Sequence, residues 1–129
     1  MIVKFELFVL FISILIQASF SEDEDIKSLI SKMDVYDKCG QMTQVTFDVI
    51  EKENTPLDGD PVDLDKLKTA IVEKRIGSIL SPPLGVAQKA SIWQTVIKHI
   101  HDESLNTKFK IPIIYGTDSI HGVNFLKVS

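Results

Sequence analysis

The residues best suited to chemistry lie together in IPIIYGTDSIHG, residues 111–122. An apolar run from Ile111 to Tyr115 leads into Gly116, and Asp118 follows two residues later. In parallel α/β folds ligands bind at the carboxyl ends of the strands, so a carboxylate just past such a strand stands where a substrate arrives. An ionised carboxylate only accepts hydrogen bonds and can take two hydroxyl donors, which suits a sugar ring. Gly116 and Gly122 predict a tight, closely approached backbone around Asp118 and His121. The same spacing also suits a plainer arrangement, with Asp118 as the N-cap of a following helix and His121 packed in a loop.

Other chemically capable residues point to structure. His99-Ile100-His101-Asp102-Glu103 has the composition of a metal cluster, but on a helix His99 and His101 project about 200° apart. Only His99 with Glu103, or Lys98 with Asp102, share a face there, which describes a solvated helix end. No metal ligand set is predicted. Cys39 falls on an apolar helix face, as a small buried hydrophobe would. Trp93 belongs to a helical stripe and reads as core. Gly77 and Gly85 lack the strand-then-helix context of a phosphate-binding loop.

These side chains need elements to position them. Ile26, Leu29, Ile30 and Met33 mark a helix over 22–33, with acidic residues at its start. Asp34 is placed to cap a second short helix whose buried face would carry Val35, Cys39 and Met42. Thr43 to Phe47 is β-branched and aromatic, a short strand. Residues 51–63 form a loop. Helical periodicity returns from Asp63 to Arg75 and stops at Gly77. Ser78-Ile79-Leu80 is a brief buried strand, and Ser81 to Gly85, with two prolines, is a turn. Residues 88–104 form the best helix, with Ile92, Trp93, Val96, Ile97 and Ile100 as its stripe. Ile111 to Tyr115 is the strongest strand, apolar enough to be covered on both faces. Strands alternating with helices predict βαβ crossovers and a parallel sheet.

Composition bounds the possibilities. Of 129 residues, 25% are charged and the formal net charge is −4, with no Lys/Arg run to meet nucleic acid. One cysteine excludes a disulfide-stapled small domain. Residues 1–21 have the three-part layout of a secretory signal: Lys4, an apolar core from Leu7 to Ile16, and Ser19 and Ser21 before a cut at Glu22. Retaining the segment as a membrane span would place Lys4, Glu6 and Gln17 in lipid. The expected compartment is secreted or lysosomal, with no stable span after cleavage and 22–129 as the folded part.

IPIIYGTDSIHG, together with SKMDVYDKCGQMTQ at residues 31–44, resembles the N-terminal part of glycoside hydrolase family 3, especially its secreted β-glucosidases and exo-β-glucanases. Met33, Lys38, Gly40, Gln41 and Met42 match the family pattern, Asp34 replaces its cap conservatively, and Cys39 replaces an aliphatic residue. Ile76 to Leu80 and Trp93 also fall where the family has similar residues. Ser81-Pro82-Pro83-Leu84-Gly85 departs from the Gly-rich stretch usual there. The resemblance covers about residues 25–127.

The resemblance implies that the chain is α/β, the first three or so βα units of a truncated (β/α)₈ TIM-type barrel. It implies hydrolysis of terminal, non-reducing β-D-glucosyl residues with retention, acting on a β-glucoside or β-glucan oligosaccharide. Asp118 matches the family aspartate that binds hydroxyls of the terminal glucose, with Gly116, His121 and Gly122 supporting its loop. The nucleophile and acid/base match positions beyond residue 129, so this chain alone is expected to be inactive. Two-carboxylate hydrolysis requires no cofactor. The chain reads as cut off, either by reading through an intron, since the donor AAG/GTAAGT encodes Lys127-Val128-Ser129, or by a genuine truncation. A different class of reading is a small secreted binding protein built on three βαβ-type strands, which would need a closing element.

Overall fold

The computed structural model describes residues 24–120, 122 and 125–127. The leader expected over 1–21, His121 and the last two residues lie outside them. The chain divides into two compact units, Met1–Val35 and Tyr36–Ser129. Within the first, helix α1 spans 24–31, and Lys27 pairs with Glu24 one turn earlier at 3.2 Å.

The second unit is built around three parallel strands: β1 (Gln44–Thr46), β2 (Ser78–Leu80) and β3 (Ile114–Gly116). Helix α2 (Val35–Gln41) leads into β1, α3 (Leu64–Lys68) lies between β1 and β2, and α4 (Ala90–Ser104) lies between β2 and β3. Each strand pairs with the one before it in sequence, in the order β1-β2-β3. Val45 sits opposite Ile79, and Ile79 opposite Tyr115.

Local sequence explains most boundaries. Asp63 caps α3, its carboxylate accepting from the amides of Asp65 and Lys66, both at 3.0 Å. This satisfies two donors that a helix start otherwise leaves orphaned. The helix continues as a wider π-helical turn, Thr69–Glu73, in which the Lys74 amide reaches back to the Thr69 carbonyl. Phe47–Ile50 forms a 3₁₀ turn directly after β1, so the strand is shorter than its β-branched run predicts. Ile92, Val96, Ile100 and Ser104 are the buried line of α4, each four residues from the next. Its three apolar members meet Leu67, Ala70 and Ile71 from the α3 segment and Ile79 from β2 in one core, closed by Phe47 and Ile50.

Three expectations are corrected. The periodicity of α2 places Val35, Cys39 and Met42 inward, yet all three are exposed, and its buried residues are Asp37 and Gly40. A Cβ on Gly40 would run into the Arg75 carbonyl oxygen, and one on Gly77 into the Gln41 carbonyl oxygen. Backbone contact and charge pairing, rather than apolar area, therefore set the rotation of this helix. Secondly, the left-handed residue that ends the α3 segment is Arg75 (φ 59°), not Gly77. Gly77 serves the close approach instead. Thirdly, the third strand begins at Ile114, not Ile111, and is not covered on both faces: Ile114 is 71% exposed. Its ladder opens with the Ile114 amide bonded to the Gly77 carbonyl at 3.0 Å, opposite a β2 of only three residues.

Candidate functional site

The carboxyl ends of the strands carry the candidate site. Gly116 ends β3, and its carbonyl accepts from the Ser81 amide at 3.1 Å. A Cβ there would make only ordinary contact with the Leu80 side chain at 3.4 Å, so the close approach predicted at Gly116 is not found. Gly122 suits its position: its φ of +89° is left-handed, which glycine adopts without steric cost, and its amide closes a turn onto the Ser119 carbonyl at 3.0 Å. Asp118 is exposed between them. Among the described residues it takes no hydrogen bond or ion pair and caps no helix, since 118–120 are non-helical. An acceptor-only group of this kind keeps its lone pairs for water or a ligand.

Loop 81–88, which follows β2, is bound to the segment that carries Asp118. The Tyr115 hydroxyl donates to the Ser81 carbonyl at 2.6 Å. Burial pushes the Tyr115 phenol well above its ordinary range, so it stays a protonated donor. Further along, the Phe125 carbonyl accepts from the Gln88 amide at 2.9 Å and from Trp93 Nε1 at 3.1 Å. The Lys127 amide returns to the Gln88 carbonyl at 2.8 Å. Gln88 is itself buried, its side-chain amide donating to the Pro83 carbonyl at 3.2 Å. Trp93 and Tyr115 meet edge to face, ring centroids 5.7 Å apart. Trp93 is therefore half-buried beside the site rather than inside the core stripe. With Ile97, Thr117, Phe125 and Leu126 these two rings line an open cavity of about 350 Å³.

The opposite, amino ends hold a different cluster. Asp37 is buried, with Arg75 Nη1 at 2.8 Å on one carboxylate oxygen and Lys108 Nζ at 3.6 Å from the other. Arg75 and Lys108 lie just before β2 and β3, so one carboxylate ties the approaches to two strands to α2.

The remaining candidates scatter. His99 Nε2 lies 2.9 Å from Asp60 Oδ2, joining α4 to loop 51–63 instead of pairing along its own helix. Lys98 does pair with Asp102, whose carboxyl is held below its usual value first by that hydrogen bond. Among the described residues no group of His, Cys, Asp and Glu is arranged to hold a metal ion. Nor is any described helix long and apolar enough to cross a membrane. Sequence reasoning missed Tyr115, Ser81 and Asp37. Tyr115 carried one readable sign, a polar tip on the penultimate residue of an otherwise aliphatic strand.

No family model matches the chain. Among curated proteins it is 32% identical over 116 residues to a lysosomal beta glucosidase of Dictyostelium discoideum. The chain is similar in sequence to part of a glucosidase. That match takes in 82% of this chain, which spans 13% of the relative's length. The exposed Asp118, two residues past β3, thus occurs in a chain that resembles part of a glucosidase along most of the chain's own length.

Proposed function

We propose that this glucosidase-like chain is the sugar-binding N-terminal part of a retaining β-glucosidase of glycoside hydrolase family 3. Asp118 would accept hydroxyls of the terminal, non-reducing glucose. The observation that carries this reading is the position of Asp118: exposed, unengaged among the described residues, and two residues past the carboxyl end of a parallel strand. That is where ligands bind in such folds. Gly116 and Gly122 flank it, and His121 belongs to the same segment.

The strand order agrees with a barrel. The strands β1-β2-β3 run in sequence order, as successive barrel strands do and as each half of a doubly wound sheet also does, so the order is consistent with the barrel that the resemblance implies. A full barrel takes roughly 250 residues, and retaining hydrolysis needs two carboxyl groups about 5–5.5 Å apart. In this reading the present chain supplies three barrel strands with the two helices between them and one binding carboxylate, and the nucleophile and acid/base are contributed from elsewhere in a longer protein. A secretory route to a lysosome or to the outside agrees with the leader pattern and with the relative's name. The substrate would be a β-glucoside or β-glucan end, and two-carboxylate chemistry requires no cofactor.

The test is a titration of the 129-residue chain with methyl β-D-glucopyranoside, followed by amide chemical shifts. Shifts centred on residues 116–120 that vanish in Asp118→Asn are expected, with no hydrolysis of an aryl β-glucoside. Binding that survives Asp118→Asn, or hydrolysis by the chain alone, would refute the assignment.

A further inference from the structure

We propose that Tyr115 is a positioning residue for the sugar-binding carboxylate, acting through the backbone of Ser81. This rests on the reading of Asp118 just given. Ser81 has a φ of +82°, a left-handed conformation that a side-chain-bearing residue adopts only when its surroundings impose it. Both of its main-chain groups are held by the last two residues of β3. Its amide donates to the Gly116 carbonyl at 3.1 Å, and its carbonyl accepts the Tyr115 hydroxyl at 2.6 Å. Asp118 follows Gly116 by two residues, so this clasp fixes the direction in which the chain departs toward it. The far end is pinned too, by Phe125 on Gln88 and on Trp93 Nε1. Tyr115 and Gly116 thus hold the start of the path to Asp118 on loop 81–88, so the carboxylate departs from a fixed base rather than a free arm. Preorganisation of this kind raises affinity by reducing the entropy lost on binding. The tether is a side-chain hydroxyl from the strand itself, so the strand that launches the carboxylate also orients it.

Tyr115→Phe removes one oxygen and keeps the ring against Trp93. The expected result is a rise of about three- to tenfold in the dissociation constant for methyl β-D-glucopyranoside, measured on the fully folded 129-residue chain. A purely structural role would lower the unfolding midpoint and leave that constant unchanged. A double-mutant cycle sharpens the distinction. In an Asp118→Glu background, which keeps a carboxylate in a displaced position and so a weaker contact, Tyr115→Phe is expected to have a smaller effect than in the unaltered chain if it acts through Asp118. Should Tyr115→Phe fail to fold, Trp93→Phe removes one of the two bonds to the Phe125 carbonyl and is expected to raise the same constant. Unchanged affinity in Tyr115→Phe, with loss in Asp118→Asn, would overturn the positioning role and leave the sugar-binding reading standing. Unchanged affinity in Asp118→Asn, or no binding by the unaltered chain, would overturn both.

Discussion

The two ends of the sheet are built on opposite principles. At the amino ends, backbone meets backbone: Gly40 lies on the Arg75 carbonyl and Gly77 on the Gln41 carbonyl, with no room for a Cβ at either. A buried Asp37 then links Arg75 and Lys108 across the approaches to β2 and β3. At the carboxyl ends the contacts are hydrogen bonds to loop carbonyls, an aromatic edge and an open cavity. Asp118 there is left to solvent. One end spends its polar groups on holding strands in register, and the other leaves a carboxylate unspent. A parallel sheet permits this division because all its strands point the same way, so stability and ligand contact gather at different edges.

Four variants would break or sharpen that contrast. Gly40→Ala should have the largest effect on folding, costing about 3 kcal/mol or more, because two backbones must separate to admit the methyl group. Urea denaturation reads it directly, and a loss below about 1 kcal/mol would mean the amino-end interlock yields easily. Asp37→Asn should cost about 2 kcal/mol. It removes the charge-assisted bonds, while Arg75 and Lys108, both partly exposed, can turn to water.

The carboxyl end should answer in other observables. Burial raises the Tyr115 phenol above its ordinary value of about 10, so on alkaline titration the unfolded chain ionises first. The unfolded state then holds fewer protons, and stability should be full below pH 10 and fall as pH rises beyond it. Tyr115→Phe should flatten that alkaline limb, and a limb left intact would assign the dependence to another group. Asp118→Asn should have the smallest effect on stability, within about 0.5 kcal/mol, as expected of an exposed side chain without partners among the described residues. It should nevertheless have the largest effect on glycoside binding. A destabilisation comparable to that of Asp37→Asn would erase the contrast between the two ends.

Much of this architecture is legible in the chain. Ser78-Ile79-Leu80 reads as a strand and is one, and the apolar spacing over 88–104 becomes α4 with its buried line at Ile92, Val96 and Ile100. Position along the chain also places Asp118 just past the third strand. The failures share a cause. Reading inward faces from hydrophobic spacing assumes that apolar area decides orientation. In α2 the deciding contacts are a missing Cβ and a buried carboxylate, so Val35 faces out and Asp37 faces in. Cys39, which spacing made a small core residue, is exposed for the same reason. Ile97 belongs to the α4 stripe by periodicity but remains largely exposed, since the core takes one line of that helix rather than its whole apolar face. The roles of Tyr115 and Ser81 depend on partners 34 residues apart, which no local pattern reports.

The sequence by itself determined the alternation of strands and helices, the parallel sheet and the place of one carboxylate after its third strand. Those follow from periodicity, turn chemistry and chain order, all of them local. The tertiary structure decided which glycines are needed for contact, which face of α2 turns inward, and that Asp118 stays unengaged among the described residues while Tyr115 and Ser81 hold the base of its loop. Each of these is set by the approach of segments distant in sequence. There, backbone collisions and a single hydrogen bond outweigh the small differences in apolar area that residue spacing encodes.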